Sequence, residues 1–111
     1  MIDSVYWPAI LVFSGDDELQ YIESQHAWMS DPDLTNNFYD SSDRLIDSKG
    51  NVFSIEETPA GLILYNQGEH ISVAQIDELA RRHLSSAGQV CVSKFASTSI
   101  IDAFNTVKLS T

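Results

Sequence analysis

Ser72-Val73-Ala74-Gln75-Ile76-Asp77-Glu78-Leu79-Ala80-Arg81-Arg82-His83-Leu84-Ser85-Ser86-Ala87-Gly88 specifies one element more firmly than any other stretch of the chain. Ser72 and Gln75 make a capping box, in which the serine oxygen accepts the N3 amide and the glutamine reaches back to the serine N–H. Val73, Ile76, Leu79, Ala80, His83, Leu84 and Ala87 fall on one stripe at helical spacing. Asp77–Arg81 and Glu78–Arg82 are i,i+4 pairs on the other side, each worth about 0.2–0.5 kcal/mol. Gly88 supplies the C′ residue. The pattern predicts a helix over Ser72 to Ala87 with one apolar face to lay on a sheet.

The strands to receive it lie upstream. Arg44-Leu45-Ile46-Asp47 and Val52-Phe53-Ser54-Ile55 flank Ser48-Lys49-Gly50-Asn51, a hairpin signal. Thr58-Pro59-Ala60-Gly61 is a second turn. Leu62-Ile63-Leu64-Tyr65 follows as an unbroken apolar strand ended by Asn66-Gln67-Gly68, and its lack of alternation suggests a central strand or one end of the core. Nearer the N-terminus, Val5 to Phe13 is a β-type run in which Pro8 implies an edge or a bulge, since proline cannot donate to a ladder. Ser14 to Glu18 is turn chemistry and Leu19 to Ile22 the returning strand. Ser24 caps a short helix through Met29, stopped at Asp31-Pro32 because the residue before proline avoids the α region. Asp31 to Asp43 is the most polar stretch, with Leu34, Phe38 and Tyr39 as its apolar anchors. Downstream, Gln89 to Phe95 reads as a strand. Ser97, Thr98 or Ser99 caps a last helix with a stripe of Ile100, Ile101, Phe104 and Val107. The order is β-β-(short α)-β-β-β-α-β-α. It implies one α+β domain over residues 1–111, a mostly antiparallel sheet with the two C-terminal helices on one face. The strand–helix–strand unit from Leu62 to Phe95 could add a parallel pair.

Charge is distributed unevenly. Residues 1–57 hold twelve acids against two bases, Arg44 and Lys49, so the whole formal net charge of −10 sits there. Residues 58–111 are balanced, with four of each sign. Such a field attracts basic partners and repels phosphate backbones and anionic lipid, so neither nucleic acid nor membrane is an expected partner. The apolar fraction of 43% is that of a globular chain. The longest apolar run, Pro8 to Phe13, is far short of a membrane span. The sequence opens Met-Ile-Asp-Ser without a basic or apolar leader, and Cys91 is the lone thiol. The expected compartment is the cytoplasm.

The stretches Trp7-Pro8-Ala9-Ile10, Ser14-Gly15-Asp16-Asp17-Glu18-Leu19, Leu45-Ile46-Asp47-Ser48-Lys49-Gly50-Asn51-Val52-Phe53 and Cys91-Val92-Ser93-Lys94 are informative together. They resemble a small family of bacterial proteins catalogued only as a domain of unknown function. The resemblance runs over nearly the whole chain in one order. It implies a small stand-alone bacterial domain and carries no activity or site residue.

No motif for catalysis or for a cofactor stands out. Asp31-Pro32-Asp33-Leu34-Thr35 begins like a calcium loop, but Asn36 and Ser42 occupy the places of the required glycine and glutamate. His26, His70, His83 and Cys91 lack metal-ligand spacing, so no metal site is expected, and His83 on the apolar stripe reads as a hydrogen-bonded core residue. Cys91 alternates with valines, and Lys94 falls on the other face of a regular strand, which suits a buried structural thiol. No nucleophile elbow or Ser-x-x-Lys is present. Trp7, Trp28, Phe38 and Tyr39 are either core plugs or parts of a recognition surface. The surface expected from acids and aromatics together comprises Asp16, Asp17, Glu18, Trp28, Asp31, Asp33, Phe38, Tyr39, Asp40 and Asp43. The leading reading is a non-enzymatic binding or regulatory module that engages a basic protein, with no cofactor. The alternative is a carboxylate-dependent enzyme using Asp16, Asp17 or Asp43 with His26 as acid or base.

Overall fold

The turn between the two strands of the 44–55 hairpin is organised by one carboxylate. A computed structural model describes residues 5–16, 19–35, 39–59, 61–86 and 99–110. In it β3 (Arg44–Asp47) and β4 (Asn51–Thr58) pair antiparallel, Leu45 opposite Phe53. Gly50 takes φ 85° in the turn, where an L side chain would be strained. Asp47 is fully buried. Its Oδ1 accepts the Lys49 and Asn51 N–H groups at 3.0 and 2.9 Å, and its Oδ2 accepts the Tyr6 N–H at 3.2 Å and Asn51 Nδ2 at 3.1 Å.

β1 (Ala9–Val12) and β2 (Leu19–Ile22) form the N-terminal hairpin, and β5 (Gly61–His70) returns from β4. The sheet order is β2-β1-β3-β4-β5, antiparallel throughout. Two expectations about strands are corrected. β1 is central rather than an edge, because Pro8 lies just before it, with a cis Trp7–Pro8 bond, and withdraws no donor from either ladder. For β5 only the first of two expected places is corrected: it is not a central strand buried on both faces but an edge at one end of the core, longer than the apolar run Leu62–Tyr65, and Leu64 is its buried residue. Asn66-Gln67-Gly68 makes a bulge instead of ending the strand. Asn66 Oδ1 accepts the Gly68 N–H at 2.8 Å while pairing jumps from Phe53–Asn66 to Asn51–His70.

The sheet is buried on both sides. On one, Ile10, Ile46 and Val52 meet Ile76 and Ala80 of α3 (Val73–Ser86) and Ala103, Phe104 and Val107 of α4 (Ile100–Ser110). On the other, Ala9, Leu11, Leu45, Phe53 and Leu64 meet Trp28 of α1 (Gln25–Ser30) and Leu34 of α2 (Pro32–Thr35). The α+β class and the pairing of the two C-terminal helices on one face therefore hold. The short helices add a second covering layer, which explains why Ala9-Ile10-Leu11-Val12 shows no alternation.

The caps form as their residues imply. Ser72 N–H donates to Gln75 Oε1 at 2.9 Å, and Gln75 N–H to Ser72 Oγ at 3.2 Å. Ser99 Oγ accepts the Asp102 N–H and Ser24 Oγ the Ala27 N–H, both at 3.1 Å. The stripes are narrower than expected. Val73 and Ile101 are exposed and Leu84 half-buried, leaving Ile76, Ala80 and His83 as the buried line of α3. His83 Nδ1 accepts the Leu19 N–H of β2 at 2.9 Å. The expected strand over Gln89 to Phe95, with Cys91, and the residue Ala87 lie outside the described residues.

Candidate functional site

Two loops meet at the end of the sheet where β1 finishes and β3 begins, and Asp43 ties them together. It is 4% exposed. Its Oδ1 accepts the Ser14 N–H of the β1–β2 loop at 2.7 Å, and its Oδ2 accepts the Asp40 N–H at 2.8 Å. A backbone bond from Asp43 N–H to the Asp40 carbonyl closes the turn at 3.0 Å. Arg44 Nη1 donates to the Ser41 and Asp43 carbonyls at 2.6 and 2.8 Å. Across the tie, Gly15 takes φ 78° and Asp16 N–H donates to the Phe13 carbonyl at 3.1 Å. The result is a cross-braced end carrying two exposed acids, Asp16 and Asp40.

Beneath it the aromatics are stacked. Tyr39 lies parallel to Phe13, with centroids 6.3 Å apart and planes at 3°, and tilts against Trp28 at 6.0 Å. Its hydroxyl donates to the Leu34 carbonyl at 2.7 Å. These rings fix where the 39–43 loop stands.

The ten residues expected to form one surface therefore separate. Asp16, Tyr39, Asp40 and Asp43 are brought together at this end. Asp43 and Trp28 are corrections: both are buried, one bracing loops and the other filling the core, so neither presents its side chain to a partner. Asp31 caps α2, its Oδ1 accepting the Asp33 N–H at 2.9 Å, and Asp33 is exposed on that helix. Asp17, Glu18 and Phe38 lie outside the described residues.

Of the residues named for the enzyme alternative, Asp17 lies outside the described residues, and His26 stands apart from Asp16 and Asp43. His26 is exposed on α1 and makes no hydrogen bond or ion pair with Asp16 or Asp43 among the described residues. Both oxygens of Asp43 are engaged by backbone N–H groups. Among the described residues no three His, Cys, Asp or Glu side chains converge to hold a metal. Among them, too, no helix is long and apolar enough to cross a membrane.

Sequence reasoning passed over Asp47 and Arg44. The signal for Asp47 was present, since Asp47-Ser48-Lys49-Gly50 has the aspartate and glycine that a type I turn prefers at its two ends. Nothing local marks Arg44, whose partners are main-chain carbonyls.

The DUF4144 family model, described as a protein structure with unknown function, matches residues 7–107. A solved structure, described as the NMR structure of the protein from Shewanella amazonensis, is similar over 95% of this chain and 89% of its own. The two are 25% identical and superpose with a TM-score of 0.70. No curated protein matches the chain.

Proposed function

From the premise that the chain belongs to the DUF4144 family, a family of unknown function, we propose a small non-enzymatic binding or regulatory module. It engages a basic protein partner in the bacterial cytoplasm through the acidic end of its sheet. One observation carries this reading: Asp16 and Asp40 stand exposed on loops that Asp43 holds at fixed separation, in the half of the chain that carries the net charge. A braced acidic end keeps its charges pointing outward without ordering them anew on binding, which favours association. The same field disfavours phosphate backbones and anionic lipid.

Fluorescence anisotropy with a labelled oligolysine peptide tests the reading. Binding should be strong at about 0.01 M sodium chloride and weaken at about 0.1 M, as the Debye length shrinks from about 30 to about 10 Å. The double substitution Asp16→Asn with Asp40→Asn keeps the side-chain shapes and should weaken binding several-fold at the lower salt. Equal affinity of the variant and the parent chain would refute this end as the binding surface.

A further inference from the structure

Between α3 and the strands beneath it runs a groove made of two adjoining hollows that share Val12 and Leu79, of about 300 and 240 Å³. The smaller hollow has an apolar floor: Val12, Ile46 and Val52 all lie on the α3 side of the sheet, with Leu79 overhanging. Two opposite charges also line it, Arg44 and Glu69. Pairing sets Arg44 opposite Ser54, and His70, next to Glu69, opposite Asn51. The charges therefore stand toward opposite ends of the strands. They form no ion pair with each other.

Arg44 is half-buried and held in place, because Nη1 donates to the Ser41 and Asp43 carbonyls. Its remaining N–H groups have no partner among the described residues. A fixed guanidinium with an unused donor edge is a receptor for a carboxylate, since the planar fork matches two oxygens and is already ordered. Beside it the apolar floor offers hydrocarbon a place out of water. Pockets for small ligands combine a mostly apolar lining with a few placed polar groups in this way.

We propose that the hollow binds a small monocarboxylate with an unbranched apolar body. The carboxylate sits on Arg44, and the chain lies over Val12, Ile46, Val52 and Leu79. Glu69 gives the site its selectivity. A second carboxylate at the far end of the ligand faces Glu69, and a neutral group in place of the carboxylate leaves the Arg44 guanidinium without a charged partner. This proposal does not rest on the basic-partner reading, which concerns the exposed acids of the neighbouring loops.

The test is a methyl and amide NMR titration of the full chain at pH 7 with hexanoate, 1-hexanol and adipate as probes. Hexanoate should give saturable shifts at Val12, Ile46, Val52 and Leu79, with Kd on the order of 1 mM, the scale for so few non-hydrogen atoms. Hexanol, which lacks the carboxylate, and adipate should each bind about tenfold more weakly, the equivalent of ~1.4 kcal/mol. Arg44→Gln should weaken hexanoate binding about tenfold by the same conversion. That variant also removes bonds to the 41–43 turn, so Gln75→Glu serves as the second variant. It preserves the capping box while adding a carboxylate to the groove wall, and should weaken hexanoate similarly. Absence of saturable shifts with hexanoate, equal binding of hexanol, or unchanged hexanoate affinity in Gln75→Glu would each overturn the proposal.

Discussion

Two buried aspartates show how a single carboxylate can take over the work of several backbone partners. Asp47 satisfies four donors from three residues, and one of them, Tyr6, is 41 positions away. It thus fixes the β3–β4 turn and docks the segment before β1 onto it, reinforced by Ser48, whose N–H donates to the Tyr6 carbonyl at 2.9 Å. Removing the carboxylate takes the acceptor from all four donors at once, in a partly buried turn. Bonds to a charged acceptor are worth about 1.5–3 kcal/mol each. Asp47→Ala should therefore cost about 3 kcal/mol or more in urea unfolding. A loss under ~0.5 kcal/mol, the size seen at ordinary surface positions, would mean that the turn and the Tyr6 segment hold without it. Asp43 does the same for the opposite end of the sheet, with fewer donors.

At the scale of elements, the helices were more legible than the strands, for a physical reason. A capping box and a 3.6-residue stripe carry phase information, so both ends of α3 and its buried face can be read from residues close in sequence. An unbroken apolar run carries none. Ala9 to Val12 and Leu62 to Tyr65 look alike in sequence, yet the first is central and covered on both faces, while the second is on an edge. What separates them is the arrival of α1 and α2 over the second face, a tertiary event with no local signature. The candidate site shows the same limit. Acidity and aromatic content were visible, but not that Asp43 and Trp28 turn inward. The stripe itself needs finer resolution than its period gives, because the flanks of a helix are half-covered. Ile76 is fully buried against the sheet and Leu84 is not. Ile76→Ala should accordingly cost about 2–5 kcal/mol, and Leu84→Ala should cost distinctly less. Parallel denaturant titrations of the two variants check this ranking, and a larger loss at Leu84 would move the buried line of α3.

Across the whole molecule, the imbalance of charge is set against packing that ignores it. Both cores are apolar on their own terms, and the two ion pairs among the described residues lie on α3, Arg81–Asp77 at 2.8 Å and Arg82–Glu78 at 3.2 Å. The two bases of the acidic half are occupied otherwise. Arg44 serves main-chain carbonyls, and Lys49 Nζ sits 4.1 Å from the centre of the Tyr6 ring. Glu23, Asp33, Asp40, Glu56 and Glu57 are exposed and form no ion pair among the described residues. Folding brings these acids closer than they are in the extended chain, so their mutual repulsion opposes the folded state. Salt acts on two terms of opposite sign. Screening weakens the two helix pairs, which together amount to no more than about 1 kcal/mol, and it relieves the repulsion among a larger set of like charges. The second effect should win. Raising sodium chloride from about 0.01 to about 0.1 M shortens the Debye length from about 30 to about 10 Å, which should increase the thermal midpoint. A net gain of ~1 kcal/mol corresponds to roughly 4 °C for a domain of this size. A flat or falling midpoint would show that the acids lie too far apart to repel one another. The acidic end would then lose the field by which it is proposed to attract a basic partner.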